Sequence, residues 1–95
     1  MTTTVFDAAA YLRNDDDVAA YMTEALATGD TTVIARALDA IARARGISRV
    51  ANEAGLSREA LDQILSTGSN PEFAIVLRII EAMGLRLTAE PTKAA

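Results

Sequence analysis

The side chains best suited to recognition chemistry lie in one short stretch, residues 57–65, which reads SREALDQIL. At helical spacing, four polar side chains would share its outer face: Arg58, Glu59, Asp62 and Gln63. Arginine can donate two hydrogen bonds to guanine, glutamine can pair with the edge of adenine, and aspartate can accept from cytosine. The pattern therefore favours a helix that reads DNA bases. The alternative interpretation is a solvated face that keeps a small domain in solution.

The residues around this stretch predict two short helices joined by a tight turn, from Ile47 to Leu65. Apolar residues recur at helical spacing on both sides of Gly55: Val50 and Ala54 before it, and Leu61, Ile64 and Leu65 after it. Glycine readily ends a helix in the left-handed conformation because it has no Cβ, and Ser57 is a favourable N-cap. The stretch therefore predicts a helix-turn-helix, whose second helix commonly enters the major groove of DNA.

Composition excludes most catalytic chemistry. A chain of 95 residues is long enough for a single domain, and 51% apolar with 4% aromatic residues favours closely packed helices. Without cysteine or histidine there is no thiolate site and no imidazole base or ligand. The run Asp15 to Asp17 lacks the glycine and distant glutamate of a calcium loop, and we expect Asp17 or a neighbour to cap a helix instead. We therefore expect no enzyme, no metal and no cofactor.

The remaining patterns predict an all-α domain of about five helices. Outside the helix-turn-helix, a first short helix is indicated from Ala8 to Leu12 after an Asp7 cap. Three longer ones follow: Val18 to Thr28, Asp30 to Gly46, and Pro71 to Met83 after an Asn70 cap. The last of these is apolar nearly all round, which predicts burial at the centre of the domain. Within a single domain, 1–95, we distinguish N-terminal helices, 5–45, from a DNA-binding part, 46–90.

The C-terminal residues predict one short β-strand: Leu85, Arg86, Leu87 and Thr88 alternate apolar and polar before Pro91. No second strand pattern occurs in the sequence, and a lone strand leaves its N–H and C=O groups unpaired. We therefore expect the strand to pair antiparallel in a two-fold homodimer, or with a strand of a different protein. A frayed extended tail is the alternative.

Charge is divided unevenly along the chain, whose net charge is −4. Residues 1–42 hold two bases against seven acids, and residues 43–95 hold seven bases against six acids. Arg43, Arg45 and Arg49 could bind phosphates, or could stabilise the negative end of the helix that Gly46 terminates. The N-terminus lacks the basic start of a secretory signal and no run of about 20 apolar residues occurs, so a cytoplasmic location is predicted.

Several of these segments together resemble a known family. RARGI (43–47), RVANEAGLSREAL (49–61), GSNP (68–71) and GLRL (84–87) are similar to HigA-like addiction-module antidote proteins, which are Xre-type, lambda-repressor-like helix-turn-helix antitoxins. The preceding FDAAAYLRNDDDVAAYMTEAL and ATGDTTVIARAL also resemble that family. The likeness spans about Val5 to Leu87. At 62–63, where related recognition helices often carry a basic pair, this chain has Asp-Gln.

The resemblance implies a dimeric, DNA-binding antitoxin that represses its own operon and neutralises a RelE/ParE-superfamily toxin, usually an RNase. Carried over by position, the groove-facing residues are Ser57, Arg58, Glu59, Asp62 and Gln63. Those implied to lie near phosphates are Arg49, Ser66, Thr67 and Asn70. The acidic N-terminal part could face a cationic toxin. Two alternatives remain: a prophage-type repressor without a toxin partner, and a protein-interaction module that binds no DNA.

Overall fold

The computed structural model describes residues 12–66 and 70–92, which form five α-helices and no strand. The helices are α1 (Asp15–Ala27), α2 (Thr31–Arg45), α3 (Ile47–Ala54), α4 (Arg58–Leu65) and α5 (Phe73–Ala82). The all-α prediction is confirmed for these ranges. The predicted helix from Ala8 to Leu12 and its Asp7 cap lie outside the described residues, apart from Leu12, which is buried. None of the five helices is both long and apolar enough to cross a membrane.

Side chains at the helix N-termini set where α1 and α2 begin. Asn14, not Asp17, caps α1: its Oδ1 accepts the Asp17 N–H at 2.8 Å. The cap was predicted at Asp17 or a neighbour, and it lies at Asn14, because asparagine is an equally good cap and stands one turn before Asp17. The three aspartates therefore occupy the first turn, where the helix dipole favours negative charge. The predicted Asp30 cap of α2 is confirmed, with its carboxylate accepting the N–H groups of Thr32 and Val33.

The last helix starts later and is more exposed than predicted. α5 begins at Phe73 rather than Pro71, and its N-cap, Glu72, makes no side-chain capping bond. Ile79 and Ile80 are buried, but Phe73 at the first position is 68% exposed. Burial at the centre of the domain therefore holds only for one side and the C-terminal end of α5, which packs chiefly on α3. A helix covered on one side leaves its opposite apolar residues facing solvent.

The hydrophobic core is built around α3, which packs against α2, α4 and α5, while α1 packs against α2. Val50, Ala51 and Ala54 of α3 are at most 3% exposed. Ala51 is 2% exposed, and its small side chain leaves room for the neighbouring helices to approach closely. Every fully buried side chain among the described residues is apolar. The core therefore stabilises the fold through packing and removal of apolar surface from water.

The C-terminal segment does not form the predicted strand within a single chain. Leu85 and Leu87 are half-buried against the core, and Arg86 and Thr88 are exposed, so the alternation of sides is present. Among the described residues, however, the backbone groups of 86–92 make no hydrogen bond to other backbone groups. A strand requires a ladder with a neighbour, and the five helices offer no edge to pair with. The segment instead runs beside α1.

Candidate nucleic-acid interface

The turn between α3 and α4 has the geometry that the sequence predicted. Gly55 is left-handed, with φ +75°, and donates its N–H to the Asn52 carbonyl, while the Leu56 N–H reaches the Ala51 carbonyl at 2.8 Å. These two bonds are those of a Schellman motif, which satisfies the last carbonyls of a helix. Only three residues separate the helices. The turn therefore holds α4 at a fixed angle to α3.

A contact that the sequence analysis missed reinforces this turn. Arg78 of α5 donates through Nε and Nη2 to the Ala54 carbonyl, at 3.1 and 2.6 Å. The positive guanidinium is stabilised at the C-terminal end of α3, where the helix dipole is negative. Its hydrogen bonds are charge-assisted and therefore stronger than bonds between neutral groups. A signal was available, because Arg78 is the single basic residue in the otherwise apolar first eight positions of α5. Its partner could not be read from the sequence.

We expect Gly55→Ala to destabilise the domain more than Gly29→Ala does. Both glycines have positive φ, where a Cβ costs about 1–2 kcal/mol. A Cβ at position 55 would lie 2.9 Å from Arg78 Nη2, whereas one at position 29 would meet nothing within 4 Å. Displacing the guanidinium weakens its bonds to Ala54, so the excess should be about 1 kcal/mol. Urea unfolding measures both variants, and the excess should vanish in an Arg78→Ala background.

Helix α4 presents one apolar and one polar side. Ser57 caps it as predicted, with Oγ accepting the Ala60 N–H at 3.0 Å. Leu61 and Leu65 are buried and Ile64 is half-buried, so the inner side is fixed against the rest of the domain. The predicted groove-facing residues are all exposed: Ser57, Arg58, Glu59, Asp62 and Gln63. The structure therefore gathers these five on one open surface, which we call the α4 outer face.

The residues expected near phosphates are placed less uniformly. Arg49 on α3 has a 71% exposed side chain and lies 3.5 Å from the Glu53 carboxylate. Ser66 is exposed, and its hydroxyl donates to the Gln63 carbonyl at 2.6 Å. Asn70 is exposed before α5, and Thr67 lies outside the described residues. Exposure leaves Arg49 and Asn70 accessible to a ligand, whereas the Ser66 hydroxyl proton is already used within the chain.

Two further arginines at the end of α2 are held by carboxylates of the same chain. Arg43 lies 3.1 Å from Asp39 and 3.4 Å from Asp62 of α4, and Arg45 lies 2.6 Å from Asp15 of α1. The hydrogen bond and charge of Asp39 raise the pKa of Arg43 above its ordinary value, so the group stays charged at any working pH. Both arginines occupy the last turn of α2, where cations are favoured. In the free protein both arginines are therefore engaged by carboxylates of the same chain and by the helix end.

Comparison with known proteins identifies the family. A family model described as "Probable addiction module antidote protein" matches residues 2–91, nearly the whole chain. The chain belongs to this antidote family. The chain is also 37% identical over 90 residues to an uncharacterized protein of Haemophilus influenzae (strain ATCC 51907 / DSM 11121 / KW20 / Rd), covering 95% of this chain and 93% of that protein. No solved structure gave a significant match.

Family membership supports the antidote part of the expected function. An addiction-module antidote acts on a toxin, so a toxin partner follows in general terms from the family. The match covers α1 to α5 as one unit, so the helix pair around Gly55 and the acidic helix α1 belong to the same family domain.

Proposed function

We propose that this antidote is a DNA-binding antitoxin that represses its own operon and neutralises a toxin of the RelE/ParE superfamily. The observation that carries the proposal is the arrangement of α4. Its apolar side is buried through Leu61 and Leu65, and its outer face leaves Arg58 and Gln63 exposed. This arrangement supports a recognition helix of the lambda-repressor, or Xre, type, in which the second helix of the pair lies in the major groove.

Base reading by α4 would use Arg58 and Gln63. Arg58 would donate to O6 and N7 of a guanine, and Gln63 would pair with N6 and N7 of an adenine. Ser57 and Glu59 flank Arg58 at the N-terminal end of the helix, the part that usually meets base edges. Arg49 and Asn70 would bind phosphates, which fix orientation without reading sequence. This division assigns base reading to Arg58 and Gln63 and phosphate binding to Arg49 and Asn70.

A two-fold dimer would place two copies of α4 about one helical turn of DNA apart, ~34 Å. The backbone groups of residues 86–92 make no backbone hydrogen bond to other described residues, so this segment is free to pair antiparallel with its copy. We therefore keep Leu85, Arg86, Leu87 and Thr88 as the proposed dimer strand, formed only on association. Light scattering that gave a monomer at micromolar concentration would contradict the homodimer.

The toxin-contacting surface is proposed on α1 and beside it. This helix carries Asp15, Asp16, Asp17 and Glu24 and no basic residue. A groove of about 510 Å³ separates α1 from the C-terminal segment, with apolar side chains that include Met22, Leu26 and Leu87. Toxins that cleave RNA need a cationic surface for their anionic substrate, which an acidic helix would attract. Neutralisation would be stoichiometric and non-catalytic, through coverage of the toxin.

The DNA-binding half of the proposal is tested with a duplex taken from immediately upstream of the gene. The protein should retard this duplex more strongly than an unrelated duplex of equal length, at a stated salt concentration, because specific binding exceeds non-specific binding by at least about a thousandfold. Equal retardation of both duplexes would contradict operator recognition. Absence of any retardation would favour a protein-interaction module.

The antitoxin half is tested by co-expression with the adjacent open reading frame. We expect the two products to co-purify and growth arrest caused by the neighbour to be relieved. Co-purification with continued growth arrest would contradict neutralisation by direct binding. An adjacent gene without toxicity, together with specific DNA binding, would favour a repressor that has no toxin partner.

Charge neutralisation on α1 should weaken toxin capture without affecting DNA binding. We expect Asp16→Asn with Glu24→Gln to raise the Kd for the toxin at least about threefold at low salt, and less at high salt, because exposed charges are screened. Both residues are exposed, and Asp15 is spared because it pairs with Arg45. The matched control, Glu72→Gln with Glu81→Gln, removes two exposed charges elsewhere. Equal effects of the two double variants would contradict the placement.

A further inference from the structure

The α4 outer face poses an electrostatic problem for a DNA-binding role. Between Arg58 and Leu65 the helix carries one arginine but two carboxylates, Glu59 and Asp62. A carboxylate that approaches the phosphate backbone is repelled, and the cost rises as water is excluded from the interface. Glu59 lies in the first turn, where the helix dipole offsets part of its charge. Asp62 lies in the middle of the helix and needs a different partner.

The structure supplies that partner from another helix. Arg43 Nη2 lies 3.4 Å from Asp62 Oδ1, across the contact between α2 and α4. Arg43 Nε in turn donates to Asp39 Oδ1 at 3.1 Å, one turn earlier on α2. Asp39 therefore favours a placement of the guanidinium from which it also reaches Asp62. These three side chains form a chain of charges, Asp39–Arg43–Asp62, beside the α4 outer face.

We propose that Arg43 is a positioning residue for DNA recognition: it neutralises Asp62 and draws its carboxylate toward α2, away from the approaching phosphates. The proposal rests on the DNA-binding function proposed above. It assigns base reading to Arg58 and Gln63 and removes Asp62 from the set of base-reading residues. It also gives Arg43 a role that does not require contact with DNA.

The alternative role of the same ion pair is to stabilise the fold, and its exposure limits that role. The side chains of Arg43 and Asp62 are 51% and 44% exposed. Ion pairs at such exposure contribute little to folding, because water screens them and ordering the side chains opposes them. A phosphate backbone is a dense array of negative charge, so an uncompensated carboxylate beside it lowers DNA affinity more than the loss of the ion pair lowers stability. Arg43 should therefore affect DNA affinity strongly and folding weakly.

A double-mutant cycle tests the proposal, using the upstream duplex and an unrelated duplex as probes. We expect Arg43→Gln to weaken binding to the upstream duplex about tenfold, because Asp62 is then uncompensated. Asp62→Asn alone should leave affinity unchanged or raise it. The double variant should return to within about threefold of wild type, since its net charge is that of the wild type and neither group is then charged. All three variants should unfold at urea concentrations close to that of the wild type.

The matched control is Arg36→Gln, which removes the same charge from α2 beside the same cleft. Arg36 has no ion pair among the described residues, so this variant should weaken binding less than Arg43→Gln does. Suppose that the double variant binds as weakly as Arg43→Gln, and that its salt dependence corresponds to the release of about one counterion fewer than for the wild type. Arg43 then contacts phosphate directly, and the proposal is overturned. Equal losses for Arg36→Gln and Arg43→Gln overturn it as well.

The cycle separates this proposal from the function on which it rests. A wild-type protein that prefers the upstream duplex, combined with no rescue in the double variant, overturns the role of Arg43 and leaves DNA recognition intact. A wild-type protein that binds neither duplex overturns both. A marked loss of stability in Arg43→Gln would also count against the proposal, because the ion pair would then be structural.

Discussion

Replacing Leu61 by alanine should destabilise the antidote by about 2–5 kcal/mol, a large part of the total stability of a small domain. Leu61 is 0% exposed and lies on the inner side of α4. Alanine would remove buried methyl groups and leave a cavity between helices that cannot fully close, because α4 is fixed by the turn at one end and by packing along its length. Thermal and urea unfolding measure the loss, which should lower Tm by at least about 8 °C.

The matched control for this substitution is Leu26→Ala on α1. The chemical change is the same, but the Leu26 side chain is 40% exposed, so less contact is lost. We expect Leu26→Ala to lower the free energy of unfolding by less than about half as much as Leu61→Ala does. Comparable losses for the two variants would mean that α4 does not pack on the core as the structure has it. Because Leu61 orients the α4 outer face, its variant should also bind the upstream duplex weakly.

Replacing Arg58 by alanine should weaken binding to the operator by about 1–3 kcal/mol, which is roughly 5- to 150-fold in Kd. Arg58 is exposed at the first position of α4 and makes no ion pair among the described residues. A bidentate contact with guanine would be lost together with one positive charge. The stability of the free protein should change little, because this exposed side chain makes no hydrogen bond or ion pair with the described residues.

Affinity for two duplexes decides how Arg58 acts. A base contact predicts a loss on the upstream duplex and a much smaller loss on an unrelated one, so specificity falls. A phosphate contact predicts similar losses of affinity for both duplexes, and a salt dependence that corresponds to the release of about one counterion fewer. The control is Arg13→Ala, which removes an exposed arginine outside the helix pair. If Arg13→Ala and Arg58→Ala reduced specific affinity equally, the proposed base contact would be contradicted.

The sequence contained enough information to place the helix pair and its turn. The cap at Ser57, the left-handed Gly55 and the apolar spacing of Val50, Leu61 and Leu65 act over a few residues, and the structure confirms each. The sequence placed the first residue of a helix less accurately where two residues close together could both serve as N-cap. Asn14 rather than Asp17 starts α1, and α5 starts after Pro71 rather than at it. Start signals can be read from the sequence, but where good caps lie within one turn of each other they place the first helical residue only to within a few positions.

The C-terminal segment shows where a local pattern is insufficient. The alternation in 85–88 correctly predicted which side chains turn inward, with Leu85 and Leu87 half-buried. It could not decide whether a strand forms, because a strand depends on hydrogen bonds with a second segment. No such neighbour is present among the described residues of the single chain. Pairing in a dimer therefore stays a prediction.

The sequence by itself determined the helical class, the turn and the side of α4 that stays polar, because these follow from the periodicity and from contacts between near neighbours. Only the tertiary structure decided which charged groups meet. Arg43 reaches Asp62, Arg45 reaches Asp15, and Arg78 reaches the Ala54 carbonyl across 19, 30 and 24 positions. Such pairs exist only once helices pack, since long side chains can reach many partners and the arrangement of the helices selects one.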